Sequence, residues 1–70
     1  HSYIVNLLDE LPSARKNIFI LSRFKHMSNK EIASLLSISE KTVETQIYRT
    51  LKFLKSKVNL VLLILFLSQK

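Results

Sequence analysis

Ser28-Asn29-Lys30-Glu31-Ile32-Ala33-Ser34-Leu35-Leu36-Ser37-Ile38-Ser39-Glu40-Lys41-Thr42-Val43-Glu44-Thr45-Gln46-Ile47-Tyr48-Arg49-Thr50-Leu51-Lys52 is the stretch that decides the fold. It divides into a short helix, a turn at Ser37-Ile38-Ser39 and a second helix. Ser28 suits the N-cap of the first helix, and the Glu31 carboxylate can reach back to close a capping box. Ser39 suits the cap of the second, its hydroxyl accepting from an early backbone N–H. Ile32, Leu35 and Leu36 give the first helix an apolar face; Val43, Ile47, Leu51 and Leu54 give the second another. Two short helices with facing apolar sides and a tight polar turn make a helix-turn-helix over residues 28–52. Ala33 is small where the helices must approach, and Val43 falls where the second packs back. The chain has no Gly, so Ser37 stands where such turns usually carry one. It must either hold φ < 0 or accept a modest cost at φ > 0. Gln46 is polar where many such motifs are apolar, and Ile47 is expected to supply the missing contact. A plain helical hairpin shares this outline, but the caps and the small Ala33 favour the DNA-reading version.

The rest of the composition narrows the function. Seventy residues make at most one domain, near the lower limit for an unaided core. The absence of Cys leaves no disulfide and no thiolate zinc site, consistent with a reducing cytoplasm. His1 and His26 are far apart and lack ligand partners, so both read as structural. A chain that starts at His1 rather than Met reads as a piece of a longer protein or as one carrying a tag remnant. A net charge of +6 favours a polyanionic partner. No phosphate-cradling Gly loop, nucleophile–base pair or carboxylate cluster is present, so neither catalysis nor a cofactor is expected.

Outward from the motif, Tyr3, Ile4, Leu7 and Leu8 mark an amphipathic helix near 3–10, ended by Leu11-Pro12. Asp9 and Glu10 fall at its C-terminal end, where the macrodipole disfavours them. Pro12 suits the first turn of a helix running to Phe24 or Lys25. Ile18, Phe19, Leu21 and Phe24 form its stripe, and the bend after it depends on the Ser28 cap, with Met27 and Ile32 as a hydrophobic staple. After Ser39 there is no breaker. At 100° per residue, Lys41, Thr45, Tyr48, Arg49 and Lys52 lie opposite the apolar ridge, with Glu44 and Lys55 at one flank and Thr42 at the other. Such a face fits a major groove or plain solvent equally well; the capped turn before it favours the groove. From Val58 to Leu67 the chain is apolar except for Asn59. A helix made from it must be buried on several sides, yet the run is too short to span a membrane. Either it lines the domain core or it is a partner or self-association surface, carried by Leu60, Leu62, Leu63, Leu65 and Phe66.

Leu11-Pro12, Ile18-Phe19, Leu21-Ser22-Arg23-Phe24, Ser28 to Ala33, Ile38 to Glu44 and Leu51-Lys52-Phe53-Leu54 together resemble region 4 of bacterial extracytoplasmic-function sigma factors, within the sigma-70 family. The resemblance covers about residues 3–57. It implies an all-α, small four-helix domain over residues 1–57 with a C-terminal helix-turn-helix and a long or extended last helix; the apolar tail at 58–70, read from its composition, follows it. It implies that the last helix enters the major groove of the −35 promoter element, with Glu40, Lys41, Thr42, Glu44 and Thr45 facing the groove and Arg49 and Lys52 following. It also implies a cytoplasmic bacterial protein that docks on the β-subunit flap of core RNA polymerase and is often sequestered by an anti-sigma factor. LuxR-type response-regulator domains share the Ser28–Ala33 and Ile38–Glu44 segments. They usually open with Thr-x-Arg-Glu and carry Gly before the Ser, whereas this chain has Leu11-Pro12 and no Gly. A membrane-associated module built on the tail is a third reading.

The mechanism expected from these residues splits positioning from reading. Lys30, Lys41, Lys52 and the backbone N–H groups at Ser39 clamp phosphates. Thr42, Glu44 and Thr45 read base edges, Glu44 accepting from a cytosine amino group and Thr45 meeting a thymine methyl or donating a hydrogen bond. The expected core is Leu7, Leu8, Ile18, Phe19, Leu21, Ile32, Leu36, Val43, Ile47, Leu51 and Leu54. Residues 60–67 are expected to be covered by another surface, a second copy in an isolated fragment, with the last helix continuing past Leu54 or restarting near Asn59.

Overall fold

A computed structural model describes residues 2–58, 61, 64 and 65, with the first three of these described by backbone alone. Four helices follow in order: α1 (Ser2–Leu8), α2 (Ser13–Arg23), α3 (Asn29–Leu36) and α4 (Glu40–Lys57). No strand occurs among the described residues.

Each boundary has a local cause. α1 stops at Leu8, short of the expected residue 10, because the amides of Asp9, Glu10 and Leu11 turn to carbonyls three residues back, at 3.1 Å each. These tight turns use up the last carbonyls of α1 before Pro12 arrives. Asp9 thereby leaves the unfavourable helix end and pairs with Lys16 of α2. Pro12 is the cap of α2 rather than part of it: its backbone is extended at φ −55° and ψ 145°, and its carbonyl accepts from the Lys16 amide at 3.0 Å.

α2 ends at Arg23, and the chain bends with His26 in the left-handed region at φ 56°. The Met27 amide reaches the Leu21 carbonyl at 3.0 Å across this bend. The expectation that the Ser28 cap alone makes the bend is therefore incomplete; a left-handed residue shares the work. The capping box itself forms. Ser28 Oγ accepts from the Glu31 amide at 3.1 Å, and the Ser28 amide donates to Glu31 Oε1 at 2.8 Å.

α3 closes with Ser37 left-handed at φ 57° and ψ 44°, the costlier of the two options open to a chain without Gly. The Ile38 amide bonds the Ala33 carbonyl at 3.0 Å and the Ser37 amide bonds the Ser34 carbonyl at 3.4 Å. This is the paired Schellman arrangement, with Ile38 and Ala33 packed into one apolar cluster. α4 starts on Ser39, whose Oγ accepts from the Thr42 amide at 3.0 Å. It ends where Val58 turns extended at φ −129°. Beyond that break Val61, Ile64 and Leu65 are again helical, whereas Asn59, the expected restart, lies outside the described residues.

The core has two halves, and α2 and α4 belong to both. Leu7 and Leu8 of α1 meet Phe19 of α2 and Leu54 of α4, with Leu11, Leu51, Phe53 and Val58 packed around them. Ile18 of α2 meets Ile32 and Ala33 of α3 and Val43 of α4, with Leu21, Met27, Ile38 and Ile47 around them. Consecutive residues Ile18 and Phe19 thus point into different halves, which fixes α2 axially. Thr50 is fully buried, a position the apolar-face reading passed over. Its Oγ1 donates to the Gln46 carbonyl one turn back at 2.9 Å, which satisfies the hydroxyl locally.

One expected core residue is misplaced. Leu36 is 39% exposed and Leu35 61%, so α3 buries Ile32 and Ala33 and not the three-residue face proposed from periodicity. An eight-residue helix turns barely twice, and its inner stripe against α2 and α4 is only wide enough for one pair. Phe24, expected in the α2 stripe, follows the last helical residue and is 37% exposed.

Candidate nucleic-acid interface

The structure holds α4 by its buried side and leaves a continuous row outward. Val43 is fully buried and Ile47 half-buried against α2 and α3. With that ridge inward, Glu40, Lys41, Thr42, Glu44, Arg49 and Lys52 are exposed and Thr45 is half-buried. Tyr48 belongs to the same row at 63% exposure. Lys52 Nζ lies 5.9 Å from the centre of the Tyr48 ring, so its charge runs along the helix instead of straight into solvent. Lys41, Glu44, Thr45 and Tyr48 line a shallow depression of about 270 Å³ on this face.

Two of the expected contact residues are partly committed elsewhere. Ser39 Oγ receives the Thr42 amide and lies 2.9 Å from Thr42 Oγ1. Both hydroxyls are therefore engaged in the helix cap, which takes up the Thr42 amide. Lys30 is exposed in the first turn of α3, on the partner helix of the motif. In the same turn, the Ser28 amide and then the Ser28 hydroxyl hold the Glu31 carboxyl below its usual range. That keeps the capping carboxylate charged and the entry to α3 in place.

The sequence reading missed one polar link. Arg15 of α2 donates from Nε to Gln46 Oε1 of α4 at 2.9 Å, in a half-buried position. The polar Gln46 at an apolar register was the available signal, but its partner lies 31 residues away and no local pattern points to it. Of the tail residues, Leu65 is 54% exposed, and Leu60, Leu62, Leu63 and Phe66 lie outside the described residues. No described helix is long and apolar enough to cross a membrane.

The arrangement can present an electropositive helix with a capped N-terminus to a groove. Comparison with known proteins agrees with this architecture. Residues 1–54 match the family model described as Sigma-70, region 4. The RNA polymerase sigma factor SigV of Bacillus subtilis (strain 168) is 42% identical over 48 residues, which is 69% of this chain and 29% of the relative. No solved structure matches. The match falls on the first of the two families weighed from sequence, and it runs through all four helices as far as Leu54 of α4: the chain belongs to the sigma-70 region 4 family.

Proposed function

We propose that this domain recognises the −35 promoter element for a bacterial RNA polymerase sigma factor and so directs transcription initiation in the cytoplasm. The observation that carries the reading is the outward row from Glu40 to Lys52 on a helix whose opposite ridge is buried and whose N-terminus is capped. Lys41, Lys52, Arg49 and Lys30 supply charge to phosphates, and the first-turn amides beside Ser39 and Glu40 supply hydrogen bonds. Glu44, Thr45 and Thr42 face base edges. Glu44 is acceptor-only when ionised, which selects a cytosine amino group over a guanine edge.

Core polymerase, through its β flap, is the assembly this domain would serve, and an anti-sigma factor is the natural competitor. The relative's name as a sigma factor supports this, although the chain spans 29% of its length. Leu35, Leu36 and Phe24 are exposed apolar side chains away from the α4 row and suit such a protein surface. The tail is a further contact surface; in the isolated chain a second copy would cover it.

A domain swap tests the function. Replacing region 4 of a characterised sigma factor with residues 1–58 should redirect promoter selection by core polymerase to a new −35 sequence. Unchanged promoter choice, or selection that ignores Glu44→Ala, would overturn the reading.

A further inference from the structure

Arg15 and Gln46 meet where α2 crosses the flank of α4. On the helix wheel Gln46 separates the buried Val43–Thr50 ridge from the exposed Thr42 and Arg49, which lie one turn before and after it. The bond from Arg15 Nε to Gln46 Oε1 fixes the orientation of both groups. It occupies one of the two lone pairs of the amide oxygen, the only acceptor atom the two side chains have. What remains, beside one lone pair on that oxygen, is six donors: the four Nη–H bonds of the guanidinium and the two N–H bonds of the Gln46 amide. Among the described residues none of these six donors has a protein partner, and no carboxylate is paired with Arg15. The neighbouring Lys16, by contrast, is taken by Asp9. A half-buried, pre-oriented cluster of donors with a net positive charge selects an anion with several oxygens.

We propose that Arg15 and Gln46 form a phosphate-binding site at the α2–α4 seam that holds one DNA backbone phosphate beside the recognition face. Arg15 contacts the phosphodiester, and Gln46 both orients the guanidinium and donates to the same group. The inference rests on the reading of α4 as a DNA-binding helix. It adds α2 to the contact surface, which that reading confines to α3 and α4. Because a phosphate carries no base identity, the site sets register and affinity and leaves sequence preference alone.

The test is the salt dependence of duplex binding by the 70-residue chain, read by fluorescence anisotropy on a selected and a scrambled duplex. Arg15→Gln should flatten the slope of log K against log salt by about 0.9. The affinity ratio of wild type to variant should therefore be about threefold larger at 50 mM than at 200 mM salt, equally on both duplexes. Gln46→Glu retains a partner for Arg15, and so the seam, but puts a carboxylate into the donor cluster; it should weaken both duplexes alike. An unchanged slope for Arg15→Gln would overturn the proposal, and so would wild-type affinity for Gln46→Glu. Loss of thermal stability in Arg15→Gln with an unchanged slope would make the pair a helix-to-helix tie only. If the wild-type chain binds neither duplex, the reading of α4 fails; if it binds and the variants do not differ from it, only the Arg15–Gln46 site fails.

Discussion

Ser37 shows how a single residue can carry a cost that the fold requires. The Schellman closure of α3 needs a left-handed residue to aim Ile38 back at Ala33 and to start α4 at Ser39. A left-handed non-Gly residue costs roughly 1–2 kcal/mol, and Gly returns about 0.4–1 of that through its freer unfolded state. Ser37→Gly should therefore stabilise the domain by about 0.5–1 kcal/mol in urea denaturation, and Ser37→Val should destabilise it. Equal midpoints for the two would contradict the strain. Ser39→Ala removes the acceptor for the Thr42 amide and should cost about 1 kcal/mol. Glu31 has a pH signature. Its folded carboxyl is held below the usual value by the Ser28 amide and then the Ser28 hydroxyl, so at acid pH the unfolded chain binds more protons than the folded one. The stabilisation is complete above the ordinary carboxylate range and is lost as pH falls through the lowered value. Glu31→Gln should remove this part of the acid sensitivity, visible as a flatter dependence of melting temperature on pH below that range.

At the scale of elements, α3 and α4 separate the packing seen in the core from the recognition proposed for the outward row of α4. Ile32 is fully buried and Leu36 is 39% exposed on the same eight-residue helix. Ile32→Ala should cost about 2–5 kcal/mol. Leu36→Ala should cost less, about 1–2 kcal/mol, since two fifths of its surface stays in water. Thermal unfolding of the pair checks this, and a large loss at Leu36 would mean that α3 is rotated from the position described. On α4 the split is between charge and hydrogen-bond pattern. Arg49→Ala should weaken binding to cognate and scrambled duplexes alike. Glu44→Ala should erase about 1–3 kcal/mol of discrimination with little change in non-specific affinity. Identical profiles for the two variants would remove the distinction between positioning and reading.

The whole molecule combines a small, two-part core with a basic surface and an apolar tail. A net charge of +6 on 70 residues makes any duplex affinity steeply salt-dependent. In the tail, Val61, Ile64 and Leu65 are more than half exposed, at 63%, 56% and 54%, and share helical spacing. Large apolar side chains left in water forgo roughly 1.5–3 kcal/mol each. Sedimentation at micromolar concentration should therefore show self-association for residues 1–70 and a monomer for residues 1–58, which keep Val58 on the α1 side of the core. Monomers in both cases would leave the tail to some other surface.

Much of this protein was determined by local sequence alone. Caps, left-handed stops and helical periodicity act over three to five residues, so Ser28, Glu31 and Ser39 announce the motif, and Val43, Ile47 and Leu54 announce the inner ridge of α4. The family resemblance followed from the same residues. Tertiary structure decided the rest, because burial depends on how wide a stripe the neighbouring helices can cover. Periodicity could not say that α3 buries Ile32 and Ala33 while leaving Leu35 and Leu36 outside. Nor could it place Thr50 in the core, where a hydroxyl is tolerated only because the Gln46 carbonyl lies 2.9 Å away. The tie between Arg15 and Gln46 spans 31 positions and exists only because α2 crosses α4 at that point.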